Sequence, residues 1–355
     1  VPAVALAVER ASASYRDVHA STARYQFAWN ALAAKAQEKR QGSLMEAVKA
    51  AQLPVLIAGL DEEHRARVYS SGGAGALGFL SVHGGPVDMS DLQVRTAIRD
   101  RLRYDHAGFE PGLFQSTTPS TQCQKRYAKG GICGKVLDAA GKHAVHCNVG
   151  GGVEESHDEI VTWLAGKLTW WTGRKCLTEQ FVPAWDEWVP VKDEAGTVLT
   201  GPEGRPQMRL ERARLDVQFF DVKGKLTFVD VHVVSAQSVN PERVRAFAAK
   251  PGSAAEAGER DKRRRYKPEH NPRAALVPFV VEALGRPGPQ AMQLLRAMAP
   301  QDPTVRGTEL TRAWAELSTL IQVRRANLLL ASEYTHDVPV QQRGGGVQPR
   351  SAEGA

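Results

Sequence analysis

Two aspartates sit where strand formers belong. In RLDVQFFDVKGKLTFVDVHVV, residues 214–234, Asp216 and Asp230 interrupt runs otherwise rich in Val, Phe and Leu, and aspartate is depleted on such pleated surfaces. Val222-Lys223-Gly224 reads as a three-residue hairpin loop, a type I turn followed by a left-handed glycine. That loop predicts a register in which Asp221 faces Lys225, Leu215 faces Val231, Val217 faces Val229 and Asp216 lies directly opposite Asp230. With period-two alternation, one face is then apolar and the other carries both acids and His232. Like charges directly opposite destabilise a sheet, and a divalent cation removes that penalty. Mg²⁺ (or Mn²⁺) is held by one or two carboxylates plus phosphate oxygens and water, where it activates water and stabilises a departing oxygen. Alternatively, the acids point to solvent on an edge hairpin.

Glu179 in TEQFV is a third acid that could approach from a neighbouring element, or an isolated surface glutamate. The segment DKRRRYKPEHNPR packs Lys262, Arg263, Arg264, Arg265, Lys267 and Arg273 around Tyr266. Such a cluster suits phosphate contacts, with the ring available for stacking; a solvated charged face or a nuclear localisation signal has the same composition. If the segment folds back on the hairpin, Lys262 supplies the positive charge that a phosphodiester transition state needs. His157 is read as a surface residue at a helix start.

Three of the four cysteines fall within 25 residues of one another. Cys123, Cys133, His143 or His146, and Cys147 make a complete tetrahedral set for zinc, with His143 preferred because His146 adjoins Cys147. Nine residues separate the first two cysteines, so the 133–147 half is the stronger part; three unrelated thiols remain the alternative. Disulfide scaffolding does not suit so large and Cys-poor a chain.

These residues need elements to hold them. Apolar spacing predicts helices within 1–55, over MSDLQVRTAIRDRLRYD with Ser90 or Asp91 as N-cap and a basic outer face, from about 155 to 171 with Gly173 closing, from 241 to about 249, over 289–299 and over 304–332. CLTEQFVPAWDEWVPV reads as extended, VKDEAGTVLTGPEGRPQM as a polar loop, KPGSAAEAGER as flexible, and ALVPFVVEALG as buried strand or turn. The tail QQRGGGVQPRSAEGA has a disordered composition. The expected class is α/β (α+β), a small mixed sheet flanked by helices.

The 355 residues are 42% hydrophobic and 24% charged, enough for two ordinary domains with a normal core. The formal charge of +7 favours an anionic partner. No apolar run approaches the roughly 18 residues of a membrane span, and no signal peptide is read.

Taken in order, these features resemble the C-terminal part of non-LTR retrotransposon polyproteins carrying a restriction-like endonuclease, a branch of the PD-(D/E)XK superfamily. The knuckle corresponds to Cys123, Cys133, His143 and Cys147; ESHDEI with His157 is similar to the family's Arg-His-Asn helix start; Asp216 and Asp230, with thirteen residues between them, resemble the acid pair. Lys262 and Tyr266 resemble the later Lys and Tyr, and LVPFVVEALG the Pro-containing strand. GALGFLSVHGGPVDMSDLQVRTAIRDRLRYD is similar to the segment joining polymerase to knuckle. Leu215 stands in place of the family's proline. His232 stands two residues after the second acid, where superfamily members of the ordinary type have lysine, so the lysine role passes to Lys262 or is lost.

The resemblance implies a restriction-endonuclease-like core at 151–300, a zinc knuckle at 121–150, a linker helix region at 74–120, a helical region at 1–73, a C-terminal helix at 301–335 and a tail at 336–355. It implies Mg²⁺ (or Mn²⁺) on Asp216 and Asp230, Zn²⁺ in the knuckle, catalytic assistance from Lys262, Glu179 and Tyr266, and nucleic-acid contacts by Arg263, Arg264, Arg265 and Lys267. Implied partners are DNA, element RNA and an upstream reverse transcriptase in a longer polyprotein, without a membrane, in the nucleus. No Tyr-x-Asp-Asp or Phe-x-Asp-Asp polymerase motif occurs. The competing reading is a decayed, non-enzymatic nucleic-acid-binding relic; a purely structural role leaves the acid pair and KRRRYK without explanation.

Overall fold

The structure is a computed structural model that describes residues 54–55, 57–73, 75–80, 88–102, 122–138, 141–193, 196–238 and 240–333. The helices expected before residue 54, the second half of 74–120 and the C-terminal tail lie outside the described residues. The chain divides into two units, Val1–Asp61 and Glu62–Ala355; the elements that follow belong to the second.

The architecture is α+β. Helices α1 (Glu62–Ser71), α2 (Asp91–Leu102), α3 (Lys142–His146) and α4 (Gly152–Thr172) precede strands β1 (Leu177–Phe181), β2 (Glu187–Pro190), β3 (Met208–Glu211), β4 (Arg214–Phe220) and β5 (Leu226–Val234). Then come α5 (Pro241–Phe247), α6 (Ser253–Arg265), β6 (Ala275–Glu282), α7 (Pro289–Met298) and α8 (Pro303–Glu333). The main sheet has the order β1-β4-β5-β6. The β1, β4 and β5 neighbours are antiparallel, whereas β6 lies parallel to β5 after the α5–α6 crossover. Pro278 is tolerated because β6 is an edge strand.

Alternation sorts the sheet's two faces. Val217, Phe219, Val229, Val231, Phe279 and Val281 face a core closed by α4, α7 and α8, whereas Val234 and Val280 meet Ala254 and Ala255 of α6. In α4 the buried residues Ile160, Val161, Leu164 and Leu168 recur at helical spacing, and Gly173 ends the helix at φ 65°, as a left-handed C-terminal glycine does.

Two expectations for loops are corrected. Residues 253–265 are helix α6, because the Ala, Glu, Lys and Arg of this stretch are strong helix formers and Ala254, Ala255 and Gly258 give it a narrow face to bury. VKDEAGTVLTGPEGRPQM is not a plain loop: β2 pairs with β3, and bridges Lys192↔Val198 and Thr200↔Pro206 extend that pairing outward.

Leu92, Ile98 and Leu102 recur at helical intervals and predict an apolar inner stripe for α2, but the structure turns the helix differently. Ser90 caps it reciprocally with Gln93, but Ile98 is exposed while Thr96, Ala97 and Asp100 are buried. Asp100 sits between Arg67 (3.1 Å) and Arg325 (2.5 and 3.1 Å), and Arg325 also donates to Gln237 Oε1 at 2.8 Å. Arg101 points inward, donating to the Ser71, Ala76 and Leu284 carbonyls. This polar network, rather than an apolar stripe, binds α1, α2 and α8 to the loops after β5 and β6.

Candidate active site and metal centre

The hairpin closes as its loop demands. Gly224 has φ 79°, its N–H donates to Asp221 O at 2.9 Å, and the Asp221 N–H donates to Lys225 O. Asp221 Oδ1 accepts from Lys223 and Lys225 N–H at 2.8 Å. The register follows the loop from Phe220↔Leu226 to Val217↔Val229, and there the regular pairing stops. Val231 N–H donates to Asp216 Oδ2 at 2.6 Å, so the carboxylate enters the space between the strands. Asp216 and Asp230 are 7% and 4% exposed, which removes the solvent-facing alternative.

Two cations attend the acids. His157, on the first turns of α4, brings Nε2 to 3.3 Å from Asp216 Oδ2. That bond drives its pKa up to about 9 against the opposing effect of burial. Its placement differs from the surface reading, and helical spacing carried the signal: residue 157 precedes the buried Ile160, Val161 and Leu164 by three, four and seven, on the same face.

Lys262 reaches the site because α6 lies close against the sheet. A Cβ at Gly258 would stand 2.9 Å from Val280 Cγ1 and 3.3 Å from His232 Cδ2. One turn later Lys262 Nζ lies 2.7 Å from Asp230 Oδ2, so the segment does fold back on the hairpin. Burial pushes the Asp230 pKa up to about 6, with Lys262 pulling it down and Asp216 adding to the rise. Burial and the nearby Lys262 hold His232 down at about 4, so this imidazole is neutral at physiological pH.

Glu179 occupies the position between the registered pairs Thr178↔Val217 and Gln180↔Leu215, level with Asp216. It has φ 57°, the one positive value outside glycine among the described residues. Its carboxylate lies 2.6 Å from Arg214 Nε, and the two line a shallow cleft with Glu154, Asp158 and Thr162. Glu179 is thus one strand from the acid pair, with its charge opposed by arginine.

Tyr266 is 4% exposed, packed at 5.9 Å from Trp185 and pushed up to about 12, chiefly by burial. The expectation that it stacks on a base is corrected: its ring belongs to the cluster of Val182, Trp185, Leu215 and Phe228. Arg263, Arg264, Arg265 and Lys267 are exposed at the end of α6. Arg264 pairs with Asp261, Arg265 pairs with Glu211, and Arg263 donates to Gln290 at 2.6 Å.

The Cys/His cluster is brought together by a short hairpin. Bridges Gln122↔Val136 and Arg126↔Ile132, with Cys123 N–H donating to Lys135 O and Cys133 N–H to Lys125 O at 2.8 Å, fold the nine intervening residues back. Asp138 caps the other half, accepting from Lys142 and His143 N–H at 3.0 and 2.8 Å. One donor atom each from Cys123, Cys133, His143 and Cys147 lies within 4.8 Å of all the others. His146 instead bonds Lys142 O at 2.7 Å.

The Cys123–Cys147 and Cys147–Cys133 sulfurs are 3.9 and 3.7 Å apart, and Cys133 Sγ is 3.4 Å from His143 Nε2. A tetrahedron with Zn–S of about 2.3 Å and Zn–N of about 2.0–2.1 Å has edges of about 3.8 and 3.6 Å. The cluster could therefore hold a metal such as zinc. Burial raises the Cys147 thiol to about 11, and a backbone hydrogen bond at Lys135 lowers that of Cys133. Among the described residues no other set of three or more such side chains could hold a metal, and the Asp216–Asp230 pair is not part of one.

Lys125 escaped sequence reasoning. It is 6% exposed and donates to Ala144 O at 2.8 Å and Cys147 O at 3.4 Å, on the same side of its strand as Cys123. No protein-family model matches this chain, and no curated protein matches it.

Proposed function

We propose that this chain is the metal-dependent DNA endonuclease module of a retrotransposon-derived protein, hydrolysing a phosphodiester to leave a nick that primes reverse transcription by a polymerase encoded upstream, in the nucleus. One observation carries the reading: two buried carboxylates, on adjacent strands where regular pairing stops, have a lysine ammonium 2.7 Å from one of them. The donor chemistry fits a hard divalent cation. Asp216 and Asp230 offer oxygen ligands, and the buried Asp230 Oδ2 lacks a well-aligned hydrogen-bond donor despite the nearby Lys262. A Mg²⁺ or Mn²⁺ ion held by this pair would activate water and offset charge on the leaving oxygen.

The protein's own groups do the remaining work. Lys262 neutralises phosphate charge beside Asp230, His157 fixes the Asp216 carboxylate, and neutral His232 keeps a second cation away from Lys262. The arginines at the end of α6 contact the backbone of DNA or element RNA without reading bases. Tyr266 acts by supporting α6 from the core, and Glu179 by holding Arg214 next to Asp216. We propose zinc for the Cys₃His cluster, where it would have a structural role; metal analysis should find one zinc per chain.

The test is cleavage of supercoiled plasmid by wild type and Asp230→Asn, with Mg²⁺, Mn²⁺ or chelator. Metal-dependent nicking that the substitution abolishes is the expected outcome; undiminished nicking by Asp230→Asn would overturn the site assignment. A binding relic is the second reading, favoured by one feature: His157 and Lys262 already pair with the two acids. It predicts salt-sensitive DNA binding by wild type with no nicking under any metal.

A further inference from the structure

The Cys123, Cys133, His143 and Cys147 set has a charge requirement that its four ligands do not meet. Three thiolates and a neutral imidazole around a divalent zinc leave about one net negative charge. Cys123 is fully buried and Cys147 is 3% exposed, and a charge in such surroundings costs several kcal/mol unless it is paired. Lys125 has the opposite requirement. Its side chain is buried, its ammonium donates to two carbonyls, and among the described residues no carboxylate forms an ion pair with it. A buried lysine without an acid is almost never found unless another anion stands in.

Position supplies the match. Lys125 follows Cys123 by two residues on one side of the hairpin strand, and its own carbonyl accepts the Cys133 N–H at 2.8 Å. Its ammonium reaches across to Ala144 and Cys147, in the half of the knuckle that contributes His143 and Cys147. The side chain therefore spans both halves of the ligand set.

We infer that Lys125 is the buried counter-charge of the metal centre, a positioning residue that makes the three-thiolate cluster neutral as a unit and ties its two halves together. The inference rests on reading the cluster as a zinc site. Outer partners of this kind typically change metal affinity by about 10–100-fold.

Zinc affinity of the full chain, measured by competition with a chromogenic chelator at fixed pH, tests it with Lys125→Met and Lys125→Arg. Lys125→Met should weaken zinc retention at least about tenfold, and Lys125→Arg, which keeps the charge, should stay within about threefold of wild type. The Co²⁺-loaded Lys125→Met protein should keep the wild-type thiolate-to-metal absorption, since all four ligands remain. Wild-type affinity in Lys125→Met overturns the inference, as does a Lys125→Arg protein as impaired as Lys125→Met, because packing rather than charge would then be at work. If Lys125→Met does not fold, Lys125→Gln takes its place, with the same expected and overturning results. A wild-type chain that retains no zinc refutes the metal-centre reading itself, which is a separable result.

Discussion

Asp230→Asn should make the fold more stable while it removes the proposed nicking activity. The carboxyl of Asp230 is held near pKa 6 by burial, against an ordinary 3.8. That gap corresponds to about 3 kcal/mol by which the ionised form is disfavoured in the folded state at neutral pH. Because the folded pKa is the higher one, protonation favours folding: the associated stability is full below about 3.8 and is lost as pH rises through about 6. Asparagine keeps the shape without the charge. It forfeits the contact with Lys262, whose side chain is 24% exposed and can turn to water. A net gain of about 1–2 kcal/mol at pH 7.5 is expected, after offsetting about 1 kcal/mol for the weakened contact and the buried amide. Urea denaturation with chelator present measures it, and repeating the titration at pH 5 should shrink the difference. Excess Mg²⁺ should then reverse the order, because a cation at about 100 times its dissociation constant stabilises only the wild type, by about 2.7 kcal/mol. An Asp230→Asn protein that is less stable than wild type at pH 7.5 without metal would refute the reasoning: the aspartate would then belong to a structural ion pair.

His157 has the same sign of shift for a different reason. Its pKa of about 9 lies above the ordinary 6.5, so its stabilising contribution is full below 6.5 and lost as pH rises through 9; His157→Gln should cost about 1–2 kcal/mol at pH 6, after discounting a partly exposed ring, and almost nothing at pH 10, as read by urea denaturation. Gly258→Ala should lower stability by about 1–2 kcal/mol through overpacking against Val280 and slow any nicking by moving Lys262. Gly166→Ala in α4, where an added Cβ meets nothing within 4 Å, should instead raise stability by about 0.5–1 kcal/mol and leave nicking alone; thermal denaturation and the plasmid assay distinguish the two.

What the sequence made legible followed from local rules. The Val222-Lys223-Gly224 loop has few conformations open to it, so it specified the register from Val217↔Val229 to Phe220↔Leu226; the direct Asp216–Asp230 pairing it also predicts does not form, because regular pairing ends there and the Asp216 carboxylate accepts from the Val231 N–H instead. The preference for His143 over His146 came from ligand reach and agrees with the cluster geometry. Tertiary contacts governed what was misread. Gly258 weakens a helix in isolation, yet here it permits the approach that seats α6, so a segment that reads as flexible becomes the support of Lys262. Thr96 and Asp100 look like an outer helix face until Arg67 and Arg325 arrive from elements far away in sequence. Tyr266 lies within a basic run, but its ring finds Trp185.

That buried arginine–aspartate network also bears on when the sheet and its acid pair can be assembled at all. Arg325 reaches Asp100 across 225 residues of chain, a closure that carries a large entropic cost and slows folding. Synthesis runs from the N-terminus at about 5–20 residues per second. The strands with Asp216 and Asp230 therefore leave the ribosome seconds before α8, which must cover their apolar face. During that interval Asp100 has no Arg325, and Val217, Phe219 and Val229 lack Leu317 and Ile321 above them. The acid pair is translated early, but the apolar face behind it is covered only when α8 docks.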